Sequence, residues 1–200
     1  EKAVEFYGQA AEQEYPDGQC ALGLCYELGK GVPEDKAEAA RLYRLAAEQG
    51  LARAQCNLGF FCLNGIAVEE DEKQALEWFL KAAEQGHARA QSLAGECYDY
   101  GYGTEKDPEK AADFYRAAAD QDYARAQCNL AWCYENAKGV ELDYGEAARL
   151  YRTAAKQGYP RGQLCMGLCL ERGRGVPMDP RQAAEWYRKA ADQDEEDACC

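Results

Sequence analysis

Residues 52–86 read ARAQCNLGFFCLNGIAVEEDEKQALEWFLKAAEQG, and the end of that stretch decides the fold. Its Ala82-Ala83-Glu84-Gln85 recurs upstream as Ala46-Ala47-Glu48-Gln49 and Ala10-Ala11-Glu12-Gln13. Downstream it returns as Ala118-Ala119-Asp120-Gln121, Ala154-Ala155-Lys156-Gln157 and Ala190-Ala191-Asp192-Gln193. Every step is 36 residues, with no insertion or deletion. A fixed period of this length is the signature of a repeat array. The copies parse as a partial repeat 1–16, full repeats 17–52, 53–88, 89–124, 125–160 and 161–196, and a partial repeat 197–200, all one domain over 1–200. The chain begins and ends inside repeats, and so reads as an excerpt.

Each period carries two helical patterns. The first, beginning at Ala52, has the repeating columns Gln55, Leu58, Gly59, Cys62 and Gly65. The second runs from Asp71 to Gln85, with Ala75, Phe79, Ala82 and Ala83 at i, i+4, i+7 and i+8, an apolar stripe on one helical face. Asp35, Asp71, Asp107, Asp143 and Asp179 open the second helices as N-caps for their free first-turn amides. Glu38, Gln74, Glu146 and Gln182, three residues on, are expected to complete a capping box in four of the five. Pro108 and Pro180 take the first helical position, where a missing N–H costs nothing. Gly29, Gly65, Gly101 and Gly173 close the first helices, with Ala137 in the fifth copy, and a second glycine follows at Gly31, Gly103, Gly139 and Gly175. Gly23, Gly59, Gly95, Ala131 and Gly167 sit in mid-helix, where glycine costs up to about 1 kcal/mol relative to alanine, so close helix contact is expected there. The large partners are Tyr43, Phe79, Tyr115, Tyr151 and Tyr187. One helix pair cannot bury such a stripe alone, so hairpins must stack. The reading is an all-α, right-handed α/α superhelix (a solenoid) of 36-residue helix-turn-helix repeats with about eleven helices.

Composition agrees. Hydrophobic content of 47% excludes a disordered chain, and 30% charge favours solubility. No apolar run approaches the ~20 residues of a membrane span. The net charge of −13 repels phosphate backbones, which argues against nucleic acid and for a neutral or basic partner.

The pattern AQCNLG-x-CY-x-x-G-x-GV-x-x-D-x-x-x-A-x-x-x-Y-x-x-AA-x-QG resembles the Sel-1-like repeat, a relative of the tetratricopeptide repeat. Arg53 to Gly86 and Arg125 to Gly158 follow it almost throughout, and the resemblance covers essentially the whole chain. It implies an α/α solenoid and adaptor work, in which protein complexes are assembled in signalling, quality control or bacterium–host contact. It carries over no catalytic site. One cysteine-rich branch of the family staples each helix pair with a disulfide at the columns held here by Ala47 and Gln55, so that staple is missing.

The eleven cysteines then read chiefly as small packing residues. Cys20, Cys56 and Cys128 share one column, and Cys25, Cys97, Cys133 and Cys169 another. Pairs five apart on one helix point in different directions, and the close pairs of a structural zinc site are lacking, so neither metal nor cofactor is expected. Unpaired thiols in number favour a reducing, cytoplasmic compartment. His87, the single histidine, stands in a loop ahead of a first helix and reads as a surface residue. With no second histidine to serve as base, no catalytic residue is assigned. A carboxylate-dependent hydrolase and a regulatory module of a larger enzyme remain the alternatives to an adaptor, and a passive spacer is disfavoured by the variable aromatic columns.

Comparison between copies points to a candidate surface. The first helices vary at Asp17, Arg53, Arg89, Arg125 and Arg161, then at Ala21, Asn57, Leu93, Asn129 and Cys165. A third set is Leu24, Phe60, Glu96, Trp132 and Leu168, and a fourth Leu28, Asn64, Tyr100, Asn136 and Arg172. Spacings of four, three and four put these columns on one helical face. First helices line the inner, concave side of helix-pair solenoids, so this face is expected to be a groove for a protein or extended peptide. The residues expected to line it are Arg53, Asn57, Phe60, Asn64, Arg89, Leu93, Glu96, Tyr100, Arg125, Asn129, Trp132, Asn136 and Arg161. Arginine would clamp carboxylates and asparagine would engage backbone. The competing reading pairs the four arginines with acidic groups on adjacent helices. Apolar ends at residues 1–11 and from 190 onward suggest end-to-end self-association.

Overall fold

The computed structural model describes residues 2–198, with side chains through Gln193, so the terminal Cys199 and Cys200 lie outside the described residues. Eleven helices make up those residues: α1 (Lys2–Glu12), α2 (Pro16–Leu28), α3 (Lys36–Glu48), α4 (Ala52–Leu63), α5 (Glu72–Glu84), α6 (Ala88–Tyr100), α7 (Pro108–Ala119), α8 (Ala124–Asn136), α9 (Tyr144–Lys156), α10 (Pro160–Arg172) and α11 (Pro180–Ala198). No strand occurs among the described residues. The chain divides into two compact units, residues 1–106 and 107–200. In the first, α1 to α6 pack each against the next in chain order; in the second, α7 to α11 do the same, and α8 also touches α10.

The aspartate caps form as the sequence predicts. The side chain of Asp71 accepts from the Gln74 amide at 2.9 Å and that of Asp143 from the Glu146 amide at 2.9 Å. Asp35 accepts from two amides, those of Ala37 and Glu38. The reciprocal half of the capping box is absent. Glu38 and Glu146 instead grip Arg41 and Arg149, one turn on, through paired hydrogen bonds of 2.6 and 2.8 Å. The cap's own amide goes to the preceding helix: Asp35 donates to the Tyr26 carbonyl, Asp71 to Cys62, Asp143 to Tyr134 and Asp179 to Leu170. Last-turn carbonyls of a helix lack intrahelical donors, so this bond satisfies both groups and ties the two helices of a hairpin together.

Tight packing explains the mid-helix glycines. A Cβ at Gly59 would stand 2.7 Å from the Phe79 ring, and one at Gly167 2.4 Å from the Tyr187 ring. Tyr43, Phe79, Tyr115 and Tyr151 are fully buried. Tyr43 meets Phe61 edge-on, with ring centroids 5.4 Å apart. The second glycine of each turn has a different reason. At Gly139, with φ of +70°, a Cβ would fall 2.0 Å from the Pro108 carbonyl oxygen, so the turn presses directly on the start of α7. Ala67 holds the equivalent place in its repeat and takes the same left-handed conformation, with φ of +54°.

A polar element recurs within each unit that the sequence pattern marks without explaining. Gln55 is buried; its Oε1 accepts from Gln85 Nε2 at 2.8 Å, and its own Nε2 donates to the Ala47 carbonyl at 3.2 Å. Gln127 stands likewise between Gln157 and Ala119, and Gln163 between Gln193 and Ala155. Each such glutamine joins the ends of two successive second helices through one first helix. That accounts for the constancy of both glutamine columns, because a buried amide must find partners on both sides.

Candidate functional site

The variable columns fall on the first helices α2, α4 and α6 of the first unit and α8 and α10 of the second. Arg53, Arg89, Arg125 and Arg161 are all exposed. Each leaves the first turn of its helix, and Arg53, Arg89 and Arg161 are each held by a side chain on the first helix before theirs. Arg89 donates from Nη1 to Asn57 Oδ1 at 3.2 Å, with its guanidinium 5.4 Å from the Phe60 ring centroid. Arg161 repeats the bond to Asn129 Oδ1 at 3.1 Å. Arg53 pairs with Asp17 at 3.5 Å, both side chains well exposed. Arg89 and Arg161 thus meet neutral amides, while Arg53 meets an acidic group on the adjacent first helix, as the competing sequence reading proposes. An amide oxygen fixes a guanidinium in place without neutralising its charge.

The other predicted residues are distributed unevenly. Asn64, Asn136 and Tyr100 are exposed, Tyr100 to 55%, and Tyr100 lies 5.6 Å from Tyr102 between ring centroids. Phe60, Trp132, Asn57 and Glu96 are half-buried. Phe60 and Trp132 are less open than their columns suggest because cations cover them, Arg89 over the first and Lys138, 4.7 Å away, over the second. Such contacts are worth about 0.5–1 kcal/mol at exposed sites. Leu93 and Asn129 are buried, so they support the face rather than line it. Asn64 and Asn136 donate back to the carbonyls of Phe60 and Trp132, four residues earlier, which caps the last turn of their helices.

His87 has a definite role that its position in a loop concealed. It is half-buried and caps α6, its Nδ1 accepting from the Ala90 amide at 3.2 Å. Burial, and then the charges of Arg89 and Arg53, hold its pKa below the ordinary histidine value. Of the nine described cysteines, seven are buried and none is in a disulfide. Burial pushes the Cys56 and Cys169 thiols up to about 11 and those of Cys97 and Cys128 up to about 12. They are therefore neutral at physiological pH, as packing residues should be.

The repeated helix hairpin, the interlocking glutamines and the exposed first-helix columns together define a helical repeat solenoid of the kind typical of protein-interaction modules. The Sel1 repeat matches six times, over residues 1–15, 16–51, 52–87, 88–123, 124–159 and 160–195. The chain belongs to the Sel1 repeat family. Comparison with curated proteins returned no match. Among solved structures, it is similar to a Sel1 repeat protein from Oxalobacter formigenes, with a TM-score of 0.84 and 34% identity over 90% of this chain and 72% of that one. It is also similar to c5321, a protective antigen of uropathogenic Escherichia coli strains with an SLR fold, with a TM-score of 0.82 and 38% identity. That match covers 95% of this chain but spans only 41% of the antigen's length. The immunity protein Pa5087 from Pseudomonas aeruginosa shares the fold, at 22% identity and a TM-score of 0.64 over 94% of this chain and 72% of that one. No helix of the described residues is long and apolar enough to cross a membrane.

Proposed function

We propose that the first-helix face binds an extended peptide or a protein surface, and that the chain works as a non-catalytic adaptor. The observation that carries this reading is the arginine series, exposed on an otherwise acidic chain, with Arg89 and Arg161 held in place by Asn57 and Asn129. A guanidinium already oriented by its own protein loses less conformational entropy on binding than a free one. Exposed Tyr100 and half-buried Phe60 and Trp132 add the aromatic area that interfaces favour. In this reading the concave side of the solenoid is the groove and the partner presents carboxylates to the arginines. The same reading places the protein in a reducing compartment, where its thiols stay unpaired.

The test is a peptide-display selection in which each peptide is joined through its C-terminus to the carrier, so that only internal segments are sampled. The comparison protein carries Arg89, Arg125, Phe60 and Trp132 changed to alanine. Peptides enriched on the unaltered chain and lost on the variant support the face. Equal enrichment on both proteins sends the binding site elsewhere.

A further inference from the structure

We infer that Arg89 in the first unit and Arg161 in the second take the partner's carboxylates and Arg53 does not, and that one column of the preceding first helix sets the difference. This deepens the peptide-binding reading and rests on it. The column holds Ala21, Asn57, Leu93, Asn129 and Cys165. Where it offers an amide, the arginine of the following repeat bonds to it: Arg89 to Asn57 at 3.2 Å and Arg161 to Asn129 at 3.1 Å. Where it offers only the methyl group of Ala21, Arg53 has no acceptor at that place. It pairs instead with Asp17, one turn earlier on α2, at 3.5 Å. Neither Arg89 nor Arg161 has a carboxylate partner among the described residues.

The two kinds of partner act oppositely on a ligand. A carboxylate beside a guanidinium cancels its charge and repels a second carboxylate, so an anion reaching Arg53 must first displace Asp17. An amide oxygen occupies one N–H and leaves both the charge and the remaining donors. Asn57 engages only Nη1 of Arg89, which keeps the Nε–Nη2 edge for a carboxylate held by two parallel bonds. Asn129 engages only Nη1 of Arg161 in the same way. Asn57 and Asn129 are therefore specificity-determining residues: each positions an arginine and spares its charge. Aspartate has the shape of asparagine, so exchanging one for the other closes the site with little change in packing.

The experiment uses two pools of random peptides blocked at both ends, one with Glu and one with Gln fixed at the centre, and neither with Asp or Glu elsewhere. Each pool is captured on the immobilised chain and counted by mass spectrometry. The Glu pool should be captured about fivefold over the Gln pool, as expected of a charge-assisted bond at an exposed guanidinium. Asn57→Asp with Asn129→Asp should bring the two pools to parity. Ala21→Asn with Asp17→Asn should widen the ratio, because Arg53 then gains the amide setting of Arg89. Parity on the unaltered chain, or a ratio that survives Asn57→Asp with Asn129→Asp, overturns the assignment. A second measurement needs no peptide and, because Asn129 is buried, uses Asn57→Asp alone. Acetate, exchanged for chloride at constant ionic strength, should move the side-chain Nε–H resonances of Arg89 and Arg161 and leave that of Arg53. Asn57→Asp should silence Arg89 and not Arg161. Equal movement of Arg53 and Arg89, or movement of Arg89 that survives Asn57→Asp, overturns the assignment. Failure to capture either pool counts against peptide binding, whereas the pattern among the arginines decides this inference, so the two readings fall separately.

Discussion

The glutamine links between hairpins give the sharpest physical prediction. Gln55 is 5% exposed and makes two hydrogen bonds, at 2.8 Å from Gln85 and at 3.2 Å to the Ala47 carbonyl. A neutral hydrogen bond contributes about 1 kcal/mol net, so deleting both removes about 2 kcal/mol. Gln55→Leu keeps the volume but adds apolar surface, and burying that surface offsets part of the loss. The single variant is therefore a poor measure. A double-mutant cycle with Gln85→Ala isolates the one bond they share. The Ala47 carbonyl stays satisfied in every variant, since the backbone amide of Gly50 also donates to it. The coupling should be about 1 kcal/mol, read from urea unfolding followed by far-ultraviolet circular dichroism with an unchanged slope. A coupling below about 0.3 kcal/mol would mean that the buried amide gains nothing from its partner, and the account of the Ala-Ala-x-Gln column would fail.

Three further outcomes follow from other parts of the fold. Gly139→Ala should destabilise the chain by more than 2 kcal/mol, roughly the cost of a left-handed non-glycine residue plus the clash with the Pro108 carbonyl; a midpoint unchanged in urea would contradict this. Asp71→Ala should cost about 1 kcal/mol and Asp71→Asn much less, since asparagine also caps, as measured by the same unfolding assay. His87 has a folded pKa below its unfolded value of about 6.5, so the unfolded chain takes up the proton first as pH falls. Its contribution is fully present above about pH 6.5 and is lost as pH falls through the folded pKa. His87→Asn, which keeps an acceptor for the Ala90 amide, should remove that part of the pH dependence, leaving the region below about pH 4.5 to carboxylates such as Glu146 and Asp179. Parallel stability curves for the two proteins between pH 5 and 7 would refute the assignment.

Much of this was legible from position alone. The 36-residue register, the aspartate caps and the pairing of mid-helix glycine with an aromatic ring are local or nearest-neighbour constraints. Each repeats with the chain, and a cost repeated at one column has to have one cause. The sequence could also place Arg53, Asn57 and Phe60 on one helical face, because that follows from 3.6 residues per turn. What each of these side chains meets depends on the neighbouring helix, and only the packed structure decides it. Stacking brings Arg89 of one repeat over Asn57 and Phe60 of the one before, 32 and 29 positions away in the chain. It buries Leu93 and Asn129, which the comparison between copies put on the open face, and turns His87 from a loop residue into a helix cap.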